Sequence, residues 1–223
     1  MTREIQAPRA PRASFGGLAA LAALVVGAVG YWGPWVSHRD AALVLMGQDL
    51  GEFVKFLPEV RGGTLTVIRQ IFYLPPFAAC LALALLASHQ TPTYGRWVRA
   101  LLLAAIFPIS LALLPPIVSP PVLRSPEFRL QVIGVLVCWA LLPGAWLLSR
   151  LPARLQSAAL ALVGLLGAGP AMWQFARILP ATARAYGARP AIGWGLVATV
   201  IGFLGLAVVG AIGSLRFKDQ LQD

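Results

Sequence analysis

The sequence predicts an all-α membrane protein. We expect a bundle of about six transmembrane helices, with one amphipathic interfacial or re-entrant helix (about 41–57) between spans 1 and 2. Three observations carry that expectation. Of 223 residues, 58% are hydrophobic and only 12% are charged, too little polar surface for a soluble domain of this length. Apolar runs of about 18 residues or more recur, long enough to cross a bilayer. Tryptophans gather at the ends of these runs, at the level of the headgroups that an amphipathic indole prefers.

The spans are placed at about 14–36, 65–87, 98–118, 130–148, 155–175 and 191–215. Each reaches the ~20 residues that cover a hydrocarbon layer of about 30 Å. Helices are expected throughout, because the alternation of barrel strands is absent. Trp32 and Trp35 close the first span, Trp97 opens the third, Trp146 ends the fourth, Trp173 ends the fifth and Trp194 opens the sixth. Trp139 falls mid-span, where packing against another helix is expected. The segment 1–13 reads as a basic cytoplasmic tail and 216–223 as a short polar tail. The first apolar run ends in "GYWGPW", not in a small-residue cleavage site, so it reads as a retained span and not a signal peptide.

The net charge is +10, almost all of it from arginine. It is scattered over loops and ends. That pattern suits anionic membrane lipids and offers no basic face for nucleic acid. Lys and Arg divide nine and nine between the two sides implied by six spans. The three arginines before the first span, against one just after it, favour both termini in the cytoplasm of a cell (inner) membrane. Residues 37–64, 119–129 and 176–190 then share the outer face, and the links 88–97 and 149–154 are too short to hold a domain.

The stretch "DLGEFVKFLPEV", residues 49–60, draws attention because it places charge between two apolar runs. Ser37 and Asp40 have the spacing of a capping box, and Pro58 marks a stop. Gln48, Glu52, Lys55 and Glu59 fall on one helical stripe, and Glu52 and Lys55 are spaced to pair at i,i+3. Two acids and a lysine near mid-helix make a spanning segment costly, so a helix lying in the interface or entering it shallowly is expected. A wide apolar surface around a narrow polar stripe suits a cap over the bundle or a partner-docking or gating helix, with Asp49, Glu52, Phe53, Lys55, Phe56 and Glu59 as its residues. Charges simply solvated at the headgroups are the plainer reading.

Prolines 75, 108 and 143 are candidate helix kinks, whereas the Pro115–Pro121 cluster ends a helix. Arg177, Arg184 and Arg189 are candidates for contact with anionic lipid or an acidic partner. Small residues recur every four positions at Ala19/Ala23/Gly27, Gly164/Ala168, Ala198/Gly202 and Gly210/Ser214, a spacing that allows close helix approach in a bundle or oligomer. Cys80 and Cys138 read as small buried hydrophobes, and their spacing in the sequence suggests no metal or redox motif.

The span centres carry no Asp, Glu, Lys or His, which argues against ion coupling and haem ligation within them. No catalytic set, metal site or cofactor motif is visible, so no enzyme and no cofactor are expected. The expected function is a non-catalytic multipass subunit of a larger membrane complex, docking other subunits through the 41–57 helix, the Pro-rich 115–121 loop and the Arg-rich 176–190 loop. The alternative is a permease-like transporter for a lipophilic or amphipathic substrate, with a possible separate ATPase subunit. In span count and length alone, the layout is similar to the small permease subunits of ATP-driven transporters. An intramembrane lipid enzyme using Asp49 or Glu52 stands third.

Overall fold

The computed structural model describes residues 15–38, 43–89, 94–115, 118–187 and 190–219. Helix α1 (Phe15–Tyr31) leads into an antiparallel hairpin of β1 (Pro34–His38) and β2 (Leu43–Met46). Helix α2 (Gly47–Phe53), a 3₁₀ turn (Val54–Phe56) and the one-turn α3 (Pro58–Arg61) follow. A second 3₁₀ segment (Arg69–Tyr73) enters α4 (Leu74–Ser88), and then come α5 (Arg96–Leu111), α6 (Pro120–Arg124), α7 (Arg129–Leu148) and α8 (Ala153–Tyr186). The last elements are the two-residue strand β3 (Ala191–Ile192) and α9 (Trp194–Asp219).

Among the described residues, four helical stretches are long and apolar enough to cross a membrane: Arg69–Ser88, Arg129–Leu148, Ala153–Tyr186 and Trp194–Arg216. The all-α membrane class therefore holds at that level. Helix α1 and helix α5 are shorter, at 17 and 16 residues, or roughly 25 Å at the helical rise. The sequence placed their spans at 14–36 and 98–118, but the chain leaves the helix at Tyr31 and at Leu111.

Helix α4 is the centre of the bundle. Ala78, Cys80, Ala82 and Ala84 have no exposed surface, and α1, α5, α7 and α8 all pack on it. Its small side chains let four neighbours come close. Helix α9 lies between α1 and α8 and touches both along much of its length. Helix α7 is peripheral, with Leu130, Leu136, Trp146 and Leu147 facing outward. Trp139 donates Nε1–H to Ser110 Oγ (3.0 Å) and stacks on Phe107, as its mid-span place suggested.

A second core caps one end of the bundle. It joins Tyr31, Trp35, Val36, Leu50, Val54, Leu57, Phe72, Phe175 and Ile178. Helix α8 reaches it because it runs for 34 residues, roughly 20 Å longer than a hydrocarbon core requires. The three connections expected on one face do meet there. Strand β1 pairs with β3 through Val36–Ile192, Glu59 pairs with Arg184, and Lys55 pairs with Glu127.

Several expectations are corrected. The 41–57 segment is not one helix, because Leu43–Met46 is a strand whose backbone bonds to 34–38. Pairing with β1 satisfies one edge of this apolar run and buries Leu45 in the cap. Ser37 and His38 belong to β1 and not to a helix cap and a loop; Asp40 lies outside the described residues. Residues 176–186 are the end of α8 and not a loop. Pro180 costs that helix a donor without ending it, and Gly187 at φ 68° ends it in the left-handed conformation glycine adopts freely. Trp35 is buried within the protein and donates its Nε1–H to Gly30 O (3.2 Å). Pro75 sits in the first turn of α4, where its missing N–H is no loss, so it is no kink. Pro108 and Pro143 do lie inside α5 and α7. Cys80 and Cys138 are buried free thiols, as expected of small hydrophobes, and they lie against each other across α4 and α7.

Candidate functional site

Where the cap meets α4 and α7, four charges close into one network. The Arg69 guanidinium donates through Nη1 to Glu127 Oε1 (2.7 Å) and Glu52 Oε1 (3.2 Å), and through Nη2 to the Glu127 carbonyl (2.7 Å). Lys55 donates to Glu127 Oε1 (3.0 Å) and pairs with Glu52 one helical turn back. Phe128 supports the cluster from below, its ring centroid 4.8 Å from the Arg69 guanidinium carbon. Arg69 is only 8% exposed, so its charge has to be met by protein, and two acids facing two bases leave the cluster neutral.

Beside it a cavity of about 240 Å³ opens between α4 and α7. Its walls are mainly Leu74, Phe77, Leu113, Leu130, Ile133 and Val137, and its polar lining comes from Gln70, Tyr73 and Gln131. Gly134 forms part of the floor, where an added Cβ would find only Leu113 at 3.7 Å. Gln131 is 3% exposed, and neither its Oε1 nor its Nε2 has a hydrogen-bond partner among the described residues. The Tyr73 hydroxyl donates to Glu52 Oε1 (3.4 Å), and its oxygen lies near Gln131 Nε2 without a well-formed bond, so Oε1 is the atom left fully open. A buried carboxamide left open costs about 1–3 kcal/mol; Gln174 in α8 is open too, but it does not line this cavity.

A second ion pair ties the cap to α8, where Arg184 Nε donates to Glu59 Oε1 (2.8 Å). Hydrogen bonding from Arg184 holds the Glu59 carboxyl below its usual range. Lys55 and then Arg69 do the same for Glu127, against some desolvation. Desolvation pulls the Lys55 ammonium down, and its bonds to Glu52 and Glu127 more than reverse this. A depressed carboxylate pKa contributes stability that is present above the unfolded value and is lost as pH falls through the folded one. Thermal unfolding at pH 7 and below pH 4 is therefore expected to show acid destabilisation. Glu127→Gln should reduce that pH dependence, and an unchanged pH dependence would contradict the pairing.

The remaining predicted residues sort themselves by position. Asp49 accepts the Met46 N–H (3.0 Å) and starts α2. Phe53 stacks on Tyr186, whereas Phe56 points outward, 71% exposed. Arg177 lies over the Trp173 ring. Arg189 lies outside the described residues. Among those residues no group of three His, Cys, Asp or Glu side chains converges as a metal site would require. The sequence reading missed Glu127, Phe128, Tyr73, Gln70 and Gln131. Two signals were available: Glu127 is the one acid between Glu59 and Asp219, and Gln131 is a polar residue inside an apolar span.

No family model, curated protein or solved structure matches the chain.

Proposed function

We propose that this chain is a six-span membrane protein that holds an amphipathic lipid in the groove between α4 and α7, as a permease-like or lipid-carrying component. In this reading α1 and α5 complete the six spans, the cap faces away from the cytoplasm, and both termini lie in the cytoplasm of a cell membrane. The observation that carries it is Gln131, a buried carboxamide without a partner in the wall of an apolar cavity. Lipid sites pair an apolar wall with a few placed polar groups, and this groove has that composition. The ionic cluster stands where a head would emerge, and the groove leads an acyl chain down toward Val137.

The test is photolabelling in nanodiscs with a lipid that carries a diazirine in its acyl chain. Label is expected on the peptides that contain 70–77 and 130–137. Gly134→Leu should fill the groove and reduce that label several-fold while favouring the helix. Label spread evenly over the outward faces of α7 and α5, and indifferent to this substitution, would contradict the reading.

A second reading, a subunit that docks other membrane proteins, draws on the outward Leu136, Trp146 and Leu147 of α7 and on exposed Phe56. Glu52, Lys55 and Glu59 serve it less well than the sequence suggested, because each is paired within the chain.

A further inference from the structure

We infer that the groove selects an uncharged lipid whose head carries a hydroxyl group, of the acylglycerol kind, in preference to a charged phospholipid. This deepens the lipid-site reading and rests on it. The first argument is charge. Arg69 and Lys55 are already satisfied by Glu52 and Glu127, so an anionic head would have to break pairs within the cluster to gain a cation, and a cationic head would have to break them to gain an acid. A neutral head leaves the cluster intact.

The second argument is hydrogen bonding. Gln131 leaves its acceptor, Oε1, unmatched, and its donor, Nε2, has only a poorly aligned approach to the Tyr73 oxygen. A hydroxyl both donates and accepts, so it can answer both, and neighbouring hydroxyls of a glycerol head can answer each separately. An ester or ketone only accepts, and would leave Oε1 buried and unmet. Gln70 lines the same wall and offers the same pair of functions to a second hydroxyl. The third argument is size. A cavity of about 240 Å³ exceeds the ~150 Å³ that accommodates benzene in an engineered protein. It suits a small head and the first carbons of one chain, with the rest of the chain running into the bilayer along α7.

The experiment compares 1-monooleoylglycerol, methyl oleate and oleoyl lysophosphatidic acid on the full chain in phosphatidylcholine nanodiscs, with occupancy read by native mass spectrometry. Monooleoylglycerol is expected to bind about tenfold more tightly than either of the others, the discrimination that two neutral hydrogen bonds supply. Gln131→Leu and the closer isostere Gln131→Met should abolish this preference and leave methyl oleate unchanged. Both should also raise the unfolding temperature of the lipid-free protein, because an unmatched buried amide is gone. Tighter binding of lysophosphatidic acid would overturn the headgroup class, as would equal binding of all three lipids that Gly134→Leu still blocks; either result leaves the groove reading standing. Binding of none of them, or binding that Gly134→Leu does not affect, would overturn both.

Discussion

Replacing Gly202 with alanine is expected to destabilise the protein by about 1–3 kcal/mol, the range for overpacking a filled interface. The sign is diagnostic because helix propensity predicts the reverse, a gain of up to about 1 kcal/mol for Gly→Ala in a helix. Packing wins because of what the new methyl meets. A Cβ at Gly202 collides with the Gly27 backbone nitrogen and Cα and with the Ala23 carbonyl. None of these is a side chain that can swing aside, so α1 as a whole must move off α9. Gly169→Ala is the control, since a Cβ there meets nothing within 4 Å, and it should hold or raise stability. Thermal unfolding of both variants in one detergent checks the pair. Equal behaviour would mean that α1 and α9 are not in contact at these positions.

Arg69→Met is expected to cost about 2–3 kcal/mol. Removing one partner of a buried ion pair costs about 3–5 kcal/mol, because the other charge is left uncompensated. The figure is reduced here because the Glu127 side chain is 48% exposed and Lys55 remains within reach of both acids. Adding Glu127→Gln should recover part of the loss, and the double-mutant cycle gives the coupling. A loss below about 0.5 kcal/mol, the level of an exposed pair, would place the network in solvent.

The amount legible in the sequence followed the length scale of the signal. Apolar runs near Val98, Leu130, Leu155 and Ala191 all lie in or beside apolar helices, because a bilayer-spanning helix is specified by about 20 consecutive residues. Boundaries that depend on a partner distant in sequence were not legible. Leu43–Met46 reads as helix on its own and becomes a strand only because Pro34–His38, itself held on its other edge by Ala191–Ile192, lies alongside. The end of α8 was hidden by Pro180, which usually stops a helix and here does not. The spacing of Ala198/Gly202 and Gly164/Ala168 did announce close approach, and the structure spends it within one chain: Gly164 faces Phe203 and Ala207, and Gly202 faces Gly27.

The candidate site was legible by half. The i,i+3 spacing of Glu52 and Lys55 announced their pairing. Glu127 lies 58 residues beyond Arg69, and nothing local links the two. Gln131 reads as an isolated polar residue until the fold shows which cavity it lines and that the Tyr73 proton is already committed to Glu52. The cysteine pair is a similar case, because Cys80 and Cys138 become neighbours only when α4 and α7 pack.

The central claim is that a lipid occupies the α4–α7 groove with its head at Gln131. The most direct measurement is an electron cryomicroscopy map of the full chain in nanodiscs that contain monoacylglycerol, at a resolution that shows lipid heads. The account predicts density for one chain along Phe77, Ile133 and Val137, ending in a head within hydrogen-bonding distance of the Gln131 amide. A groove closed by movement of α7, or filled by a protein side chain with Gln131 satisfied from within, would contradict it.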